Sequence, residues 1–123
     1  MDNHALQTQV LNTLDELVQF QREQDLPGVL SLMHQSSFAY MPTQQMLMKL
    51  FAAYELKLTL LDKKFVAADE HYAFARLRLR TEKIQGPEFR DNTSESLVIF
   101  KQVNGEWKIW TQAPIEIQLH HSA

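Results

Sequence analysis

The side chains that could do chemistry are dispersed in this sequence, and the most regular set is a row of arginines. Arg76, Arg78 and Arg80 alternate along one segment, and guanidinium groups in such a row can bind carboxylate or phosphate in pairs. The same row is typical of a solvated or dimer-facing sheet surface, paired across strands with acids such as Glu95. We favour the second interpretation, because cations are common on the exposed face of a strand.

Histidines and carboxylates are the other candidates for acid–base or metal chemistry. His34 follows a predicted helix, where a histidine commonly meets the last backbone carbonyls. His120 and His121 are adjacent, so they make a poor chelate, and we expect them in a frayed tail. Asp62 and Glu116 lie on predicted strands and could face a pocket. No His-x-x-x-His spacing occurs and the chain has no cysteine, so the sequence predicts neither a metal nor another cofactor.

Length and composition indicate one small globular domain. The 123 residues are 45% hydrophobic and 22% charged with a net charge of -3, which permits a core without disulfides. Nucleic-acid binding is disfavoured because it needs a clustered basic face. Only three glycines are present, and they form no phosphate loop or dinucleotide fingerprint. No secretion signal or membrane-spanning run is visible. We therefore expect a single domain over 1–123 in the cytoplasm, with neither nucleic acid nor a membrane as partner.

The apolar spacing at the start of the chain predicts a long amphipathic helix. Leucines and valines recur three or four residues apart over 3–24, and Asp2 or Asn3 can accept hydrogen bonds from the first free N–H groups. Gln21 falls among the polar residues expected on the other faces. Such a helix needs a partner along its apolar side.

Two shorter helices are predicted next. Asp25 can cap a short helix with Pro27 in its first turn, where the missing N–H costs little. A short extended piece over 38–40 follows. Thr43 can then cap a third helix that ends near Tyr54.

The second half of the chain alternates apolar and polar residues with a period of two, which predicts strands. Turns at Asp69-Glu70, Gly86-Pro87 and Asn104-Gly105 divide it into about four antiparallel strands. Asn104-Gly105 is the strongest signal, because a type I′ turn needs positive φ at both positions. Pro114 in the last strand implies an edge or a bulge. Three helices followed by antiparallel strands form an α+β pattern with helices on one face of the sheet.

Four segments, taken in order, carry a family resemblance. They are QDLPGVLSLM over 24–33, FAYMP over 38–42, FRDN over 89–92 and KQVNGEWKI over 101–109. Together they resemble the nuclear transport factor two-like superfamily, specifically the small bacterial proteins related to ketosteroid isomerase and the polyketide cyclases. The resemblance implies a cone-shaped, cystatin-like fold, in which three N-terminal helices pack in a strongly bent antiparallel sheet. It also implies an apolar pocket at the mouth of the cone and a homodimer through the outer sheet face.

The resemblance argues against isomerase chemistry in this chain. It puts the catalytic carboxylate at position 41 and a hydrogen-bonding tyrosine near position 17, where this sequence has Met41 and Leu17. A general base is a geometric requirement of that reaction, and neither side chain can supply a proton acceptor or donor. Tyr40 is the nearest polar group, either as a donor to a ligand or as a half-buried tyrosine. The candidate pocket-lining residues are Leu17, Phe38, Tyr40, Met41, Phe51 and Tyr54.

We favour a small homodimeric protein whose pocket binds a small apolar ligand without catalysis. Methionine adapts to irregular apolar shapes, and the region that should line the cone contains Met33, Met41, Met46 and Met48. Ordinary core packing explains these methionines equally well.

Two other functions stay open. One is an enzyme of the polyketide cyclase or dehydratase kind that uses Tyr40, His34, Asp62 or Glu116 in place of the missing carboxylate. The other is a protein-interaction module that uses the sheet face. The candidate residues of a dimer or partner face are Tyr72, Phe74, Arg76, Arg78 and Trp110.

Overall fold

The computed structural model describes residues 4–120, which form three helices followed by four strands. The helices are α1 (His4–Arg22), α2 (Leu26–Ser31) and α3 (Tyr40–Ala53). The strands are β1 (Glu55–Ala68), β2 (Tyr72–Gln85), β3 (Asn92–Val103) and β4 (Glu106–Leu119). The expected caps Asp2 and Asn3 and the tail residue His121 lie outside the described residues. Over 4–120, no helix combines the length and the apolar character that crossing a membrane requires.

The sheet is an antiparallel meander in the order β1-β2-β3-β4. Its register shifts where an extra residue enters β1, at Leu61 and Val66, and β4, at Trp110 and Ile115. Bulges of this kind bend and twist a long antiparallel sheet. Pro114 lies beside one of these bulges, and its strand is an edge strand. Both alternatives predicted from this proline, an edge and a bulge, are therefore present. The expected α+β architecture, with an antiparallel sheet and helices on one of its faces, is confirmed.

The two faces of the sheet differ in character. Ala73, Ala75 and Leu77 of β2 are buried against the helices, and the side chains on their side of the sheet form the inner face. The intervening residues, among them Phe74 and Arg76, belong to the outer face. The core lies between α1 and the inner face, and its largest fully buried side chains are Phe100, Leu14, Leu77 and Ile109.

The turn between β3 and β4 has the geometry that its sequence predicts. Asn104 and Gly105 have φ values of 51° and 81°, as a type I′ hairpin requires. The turn fixes the pairing of β3 with β4 from Val103 and Glu106 onward. The alternation of the hairpin then determines which residues reach the core.

The extended piece expected over 38–40 is wrong. Residues 38–39 are a turn and Tyr40 begins α3, and the extended contact occurs earlier, where Met33 forms a parallel bridge with Ile109. The backbone N–H of His34 donates to the Ile109 carbonyl at 2.8 Å, and the Ile109 N–H donates to the Leu32 carbonyl at 2.9 Å. These bonds cover part of the edge of β4.

The third helix begins at Tyr40 and not after Thr43. Its start is organised by Ser37, which is buried. The Ser37 hydroxyl accepts a hydrogen bond from the N–H of Ala39 at 3.0 Å and donates to the carbonyl of Trp110. Thr43, which the sequence pattern had assigned as the cap, lies inside the helix, and the turn before the helix depends on Ser37 instead.

His120 is held in place, contrary to the expectation of a frayed tail. Its backbone N–H donates to the Asp91 carbonyl at 2.8 Å, and its Nε2 lies 2.8 Å from the Thr93 hydroxyl. Its carbonyl accepts from Arg90 Nε at 3.3 Å. The end of β4 is therefore tied to the start of β3.

The β1–β2 turn contains a carboxylate that should make stability depend on pH. Hydrogen bonds from the backbone N–H groups of Tyr72 and His71, both 2.8 Å long, lower the pKa of Asp69. Because the folded pKa lies below the unfolded value of about 3.9, this stabilisation is complete above about pH 5 and is lost as the pH falls through the folded pKa. We expect the difference in melting temperature between wild type and Asp69→Asn, measured by calorimetry, to shrink from pH 5 to pH 3. A difference that does not change with pH would contradict this.

Candidate functional site

Two cavities lie beneath α3, between that helix, α1 and the inner face. The first, the loop-side cavity, has a volume of about 220 Å³ and reaches the loop between β2 and β3. Its lining is mainly apolar and includes Leu50, Phe51, Tyr54, Leu58, Leu79 and Phe89. The strand residues face it because they alternate with outward-facing neighbours.

The second cavity, the hairpin-side cavity, has a volume of about 290 Å³ and lies nearer to α2 and the start of β4. Its lining includes Leu17, Val29, Met33, Thr43 and Ile109. The bridge between Met33 and Ile109 closes this end.

Three residues line both cavities, namely Gln21, Met46 and Leu47. The cavities are therefore neighbouring lobes on either side of a common wall, and we call them together the two-lobed pocket. Its combined size falls in the usual range for small-molecule sites, roughly 300–1,000 Å³.

The lining of the two-lobed pocket contains no charged residue and no histidine among residues 4–120. Its polar groups are amides, threonine hydroxyls and one phenol. Three of these serve the fold, because Gln24 Nε2 donates to the Tyr54 carbonyl at 2.8 Å, the Tyr54 hydroxyl donates to the Glu88 carbonyl at 3.2 Å and Asn92 Nδ2 donates to the Arg90 carbonyl at 3.1 Å. The pocket can exclude water and bind an apolar molecule, but it offers no carboxylate or imidazole as a general base.

The expected pocket residues separate into different places. Leu17 lines the hairpin-side cavity, and Phe51 and Tyr54 line the loop-side cavity. Tyr40 lies in another groove, described below. Leu17, which became a candidate through the family resemblance, is buried on the stripe of α1 that faces the sheet.

Phe38 and Met41 lie outside both cavities and are 72% and 56% exposed. They face outward because 38–40 is a turn and Met41 sits in the first turn of α3. A carboxylate at position 41 would face solvent. Of the other methionines, Met33 is buried, Met46 lines both lobes although it is 57% exposed, and Met48 is exposed.

A separate groove of about 560 Å³ contains two of the four candidate acid–base residues, His34 and Tyr40. His34 Nδ1 accepts a hydrogen bond from the N–H of Ser36 at 3.1 Å, and its ring lies edge-on to Trp110 with centroids 5.1 Å apart. The first bond leaves the Nε2 atom to carry the proton in the neutral ring. No hydrogen bond joins His34 to Tyr40 in the described structure.

The other two acid–base candidates, Asp62 and Glu116, are exposed on the outer face. They lie in one row across the sheet, in the order Asp62, Arg78, Glu95, Glu116. The four acid–base candidates therefore do not converge on one site. The row across the sheet consists of charged side chains on the protein surface.

The centre of the outer face is apolar. Phe74 pairs with Ile99, and Arg76 pairs with Leu97, so these side chains stand beside one another on β2 and β3. Arg76 turns away to bind Glu95, with Nη2 2.7 Å from Oε2. The arginine row thus meets acids across the strands, and the structure shows no anion cradle around Arg76.

Along β3 and β4, the two ends of the outer face carry opposite charges, and the arginines of β2 stand beside the acids. Lys101 and Lys108 pair with each other across β3 and β4 at one end, and Glu95 and Glu116 pair at the other. Trp110 stands at the cationic end, with Lys101 Nζ 4.4 Å from the centre of its ring, a cation–π distance. Tyr72 is there too, 5.8 Å from the same ammonium.

Gln21, Leu58, Leu79 and Phe89 are pocket residues that the sequence reasoning missed. Gln21 was expected on a polar face of α1, and that expectation is wrong. It lies four residues after Leu17 on the same stripe, so its position carried a signal that its polarity concealed. Among residues 4–120, no three His, Cys, Asp or Glu side chains are grouped to hold a metal.

The fold and the pocket can be compared with known proteins. A family model described as the anti-sigma-I factor RsgI9, C-terminal domain, matches residues 12–119. The chain belongs to the RsgI9 C-terminal domain family. The sequence resemblance had not pointed to this family. A comparison of the sequence with curated proteins found no significant match.

Solved structures similar to this RsgI9-family chain confirm the expected cystatin-like fold. An NTF2-like protein of unknown function from Pseudomonas putida has a TM-score of 0.70 at 16% identity and covers 88% of this chain and 84% of its own. A cystatin-like protein of unknown function from Nostoc punctiforme has a TM-score of 0.73 at 10% identity, covering 99% and 97%. A proposed aromatic ring hydroxylase from Novosphingobium aromaticivorans has a TM-score of 0.76 at 10% identity, covering 93% and 92%. At these identities the likeness concerns the fold.

Proposed function

We propose that this chain is a non-catalytic binding domain that takes an uncharged, mainly apolar small molecule in the two-lobed pocket. The observation that carries the proposal is the lining, which combines aromatic and aliphatic side chains with a few neutral polar groups. A charged ligand would lose its hydration there without gaining a partner. The family name describes a domain of an anti-sigma factor, which supports a binding role in regulation over a metabolic reaction.

A matched pair of fluorescent probes tests this proposal. N-phenyl-1-naphthylamine is neutral, and 1-anilinonaphthalene-8-sulfonate has the same rings with an added sulfonate. We expect the neutral probe to bind at one site per chain and to bind at least about tenfold more tightly than the sulfonate, a difference of about 1.4 kcal/mol. Equal affinities, or no saturable binding of the neutral probe, would contradict the proposal.

Filling one lobe should block this binding. Leu58 lines the loop-side cavity, so Leu58→Trp is expected to weaken binding of the neutral probe by about tenfold or more, again about 1.4 kcal/mol, as measured by fluorescence titration. Leu61→Trp is the matched control, because Leu61 is an exposed bulge residue on the same strand and lines neither lobe. If the two variants bind the probe alike, the loop-side cavity is not the site.

The same proposal includes a homodimer formed through the outer face. Phe74, Leu97 and Ile99 form an apolar centre that lies between a cationic end and an acidic end. A two-fold axis in the plane of the interface that crosses the strands would set the cationic end of one copy over the acidic end of the other. Apolar burial at the centre and complementary charge at the rim are what a stable interface requires. The expected cytoplasmic location stays a prediction.

A second candidate function is the dehydratase-like enzyme, which is supported by the groove that contains both His34 and Tyr40. If it is correct, dehydratase activity on a hydroxylated substrate should be detectable and should be lost in both His34→Ala and Tyr40→Phe. It should survive in Leu58→Trp, because Leu58 does not line the groove that contains His34 and Tyr40. Activity that is absent from wild type, or insensitive to His34→Ala, would rule this candidate out.

A further inference from the structure

One polar side chain occupies the common wall of the two-lobed pocket. Gln21 is half-buried and lines both cavities, together with the apolar Met46 and Leu47. It is the one polar residue that the two linings share. The rest of the wall at this point can offer a ligand only van der Waals contact.

The amide of Gln21 is not used by the fold. Gln24, three residues later, also lines the loop-side cavity, and its Nε2 donates to the Tyr54 carbonyl at 2.8 Å. The Gln21 side chain makes no hydrogen bond to any residue in the described range. No side-chain nitrogen or oxygen of residues 4–120 is both fully buried and without a partner, so the Gln21 amide keeps contact with solvent, and a ligand group that bonds to it would take the place of water.

We propose that Gln21 is the polar anchor of the pocket and that the ligand is an uncharged molecule of two apolar parts joined near a single hydrogen-bonding group. The apolar parts would occupy the two lobes, and the joining group would meet Gln21 at their common wall. A primary amide both donates and accepts, so an amine, a hydroxyl or a carbonyl can serve as that group. This inference rests on the proposed binding function and adds the ligand's chemical class to it.

A pair of isosteric probes isolates the hydrogen bond. N-phenyl-1-naphthylamine has an N–H between its two aromatic groups, and 1-benzylnaphthalene has a methylene in the same place. The fluorescent amine is titrated directly, and the hydrocarbon is measured by its displacement of the amine. We expect wild type to prefer the amine by about five- to tenfold after correction for the probes' own partition between water and hydrocarbon.

The variant Gln21→Leu should remove this preference and leave binding of the hydrocarbon unchanged or stronger. Gln19→Leu is the matched control, because Gln19 is an exposed glutamine of the same helix that lines neither lobe, and this variant should retain the preference. Circular dichroism and the melting temperature of each variant confirm that it is folded.

The outcomes separate the inference from the function beneath it. If wild type binds both probes without preference, or if Gln21→Leu keeps the preference, the anchor is refuted and the apolar pocket stands. If wild type binds neither probe, the binding function fails and the anchor fails with it. Loss of the preference in Gln19→Leu as well would also refute a specific role for Gln21.

Discussion

Gly86→Ala is expected to lower the free energy of unfolding by about 3 kcal/mol, whereas Gly105→Ala should lower it by about 1 kcal/mol. Both glycines have positive φ, 131° at Gly86 and 81° at Gly105, so both variants carry backbone strain. The two positions differ in the space available for an added Cβ. A Cβ at Gly86 would lie 2.6 Å from the Ala53 carbonyl oxygen and 2.6 Å from Tyr54 Cδ1, and a Cβ at Gly105 would meet nothing within 4 Å.

The collision at Gly86 concerns the pocket as well as stability. One of the two contacts is backbone, which cannot move aside as the end of a flexible side chain can, and the other is the ring of Tyr54, which lines the loop-side cavity. Urea unfolding of both variants measures the two losses, and titration with the neutral probe shows whether Gly86→Ala also weakens binding. Equal losses in the two variants would mean that the segment around Ala53 relaxes freely.

The sheet could be predicted from sequence because its information is local. Alternation determines the face of each strand residue, and Asn104-Gly105 determines one hairpin. The expectation of helices on one side followed from the order of the elements, and the structure has that arrangement. Even Pro114, which looked like a disturbance, marked a real bulge on an edge strand.

The segment before α3 could not be predicted because a distant contact determines it. Ser37 bonds to the carbonyl of Trp110, which is 73 residues away, and no local pattern encodes that partner. The sequence FAYMP over 38–42 suggests an extended piece, because a residue that precedes a proline disfavours helical backbone angles. Pro42 instead lies in the first turn of α3, where its missing N–H costs little.

The pocket could be predicted only in outline. A cavity forms where side chains from different elements leave space between them. The spacing of residues along the chain does not predict where that happens. Leu17 followed from the family resemblance, but Gln21 was assigned to the polar side because its polarity was taken to mean exposure. His120 shows the same limit, since its partners Asp91 and Thr93 belong to another strand. Local rules identify faces, and tertiary contacts decide which polar groups those faces use.

The outer face has an apolar centre between charged ends, and this arrangement needs a physical explanation. A sheet face that only meets water gains nothing from placing Phe74, Leu97 and Ile99 side by side, and such patches commonly mark an interface. Two copies related by a two-fold axis bring each residue near the axis against itself or a near neighbour. A substitution at the centre therefore changes the interface at two places, once in each copy.

Ile99→Arg is expected to raise the dissociation constant of the homodimer by at least about a hundredfold, about 2.8 kcal/mol, because it buries two unpaired guanidinium groups at the centre of the interface. Ile117→Arg is the matched control: Ile117 is 61% exposed and pairs with Ser94 on the inner face, away from the proposed contact. Sedimentation velocity over a range of concentrations should show a dimer for wild type and Ile117→Arg and a monomer for Ile99→Arg. A monomeric wild type, or an Ile99→Arg variant that dimerises as well as wild type, would show that the outer face does not join two copies.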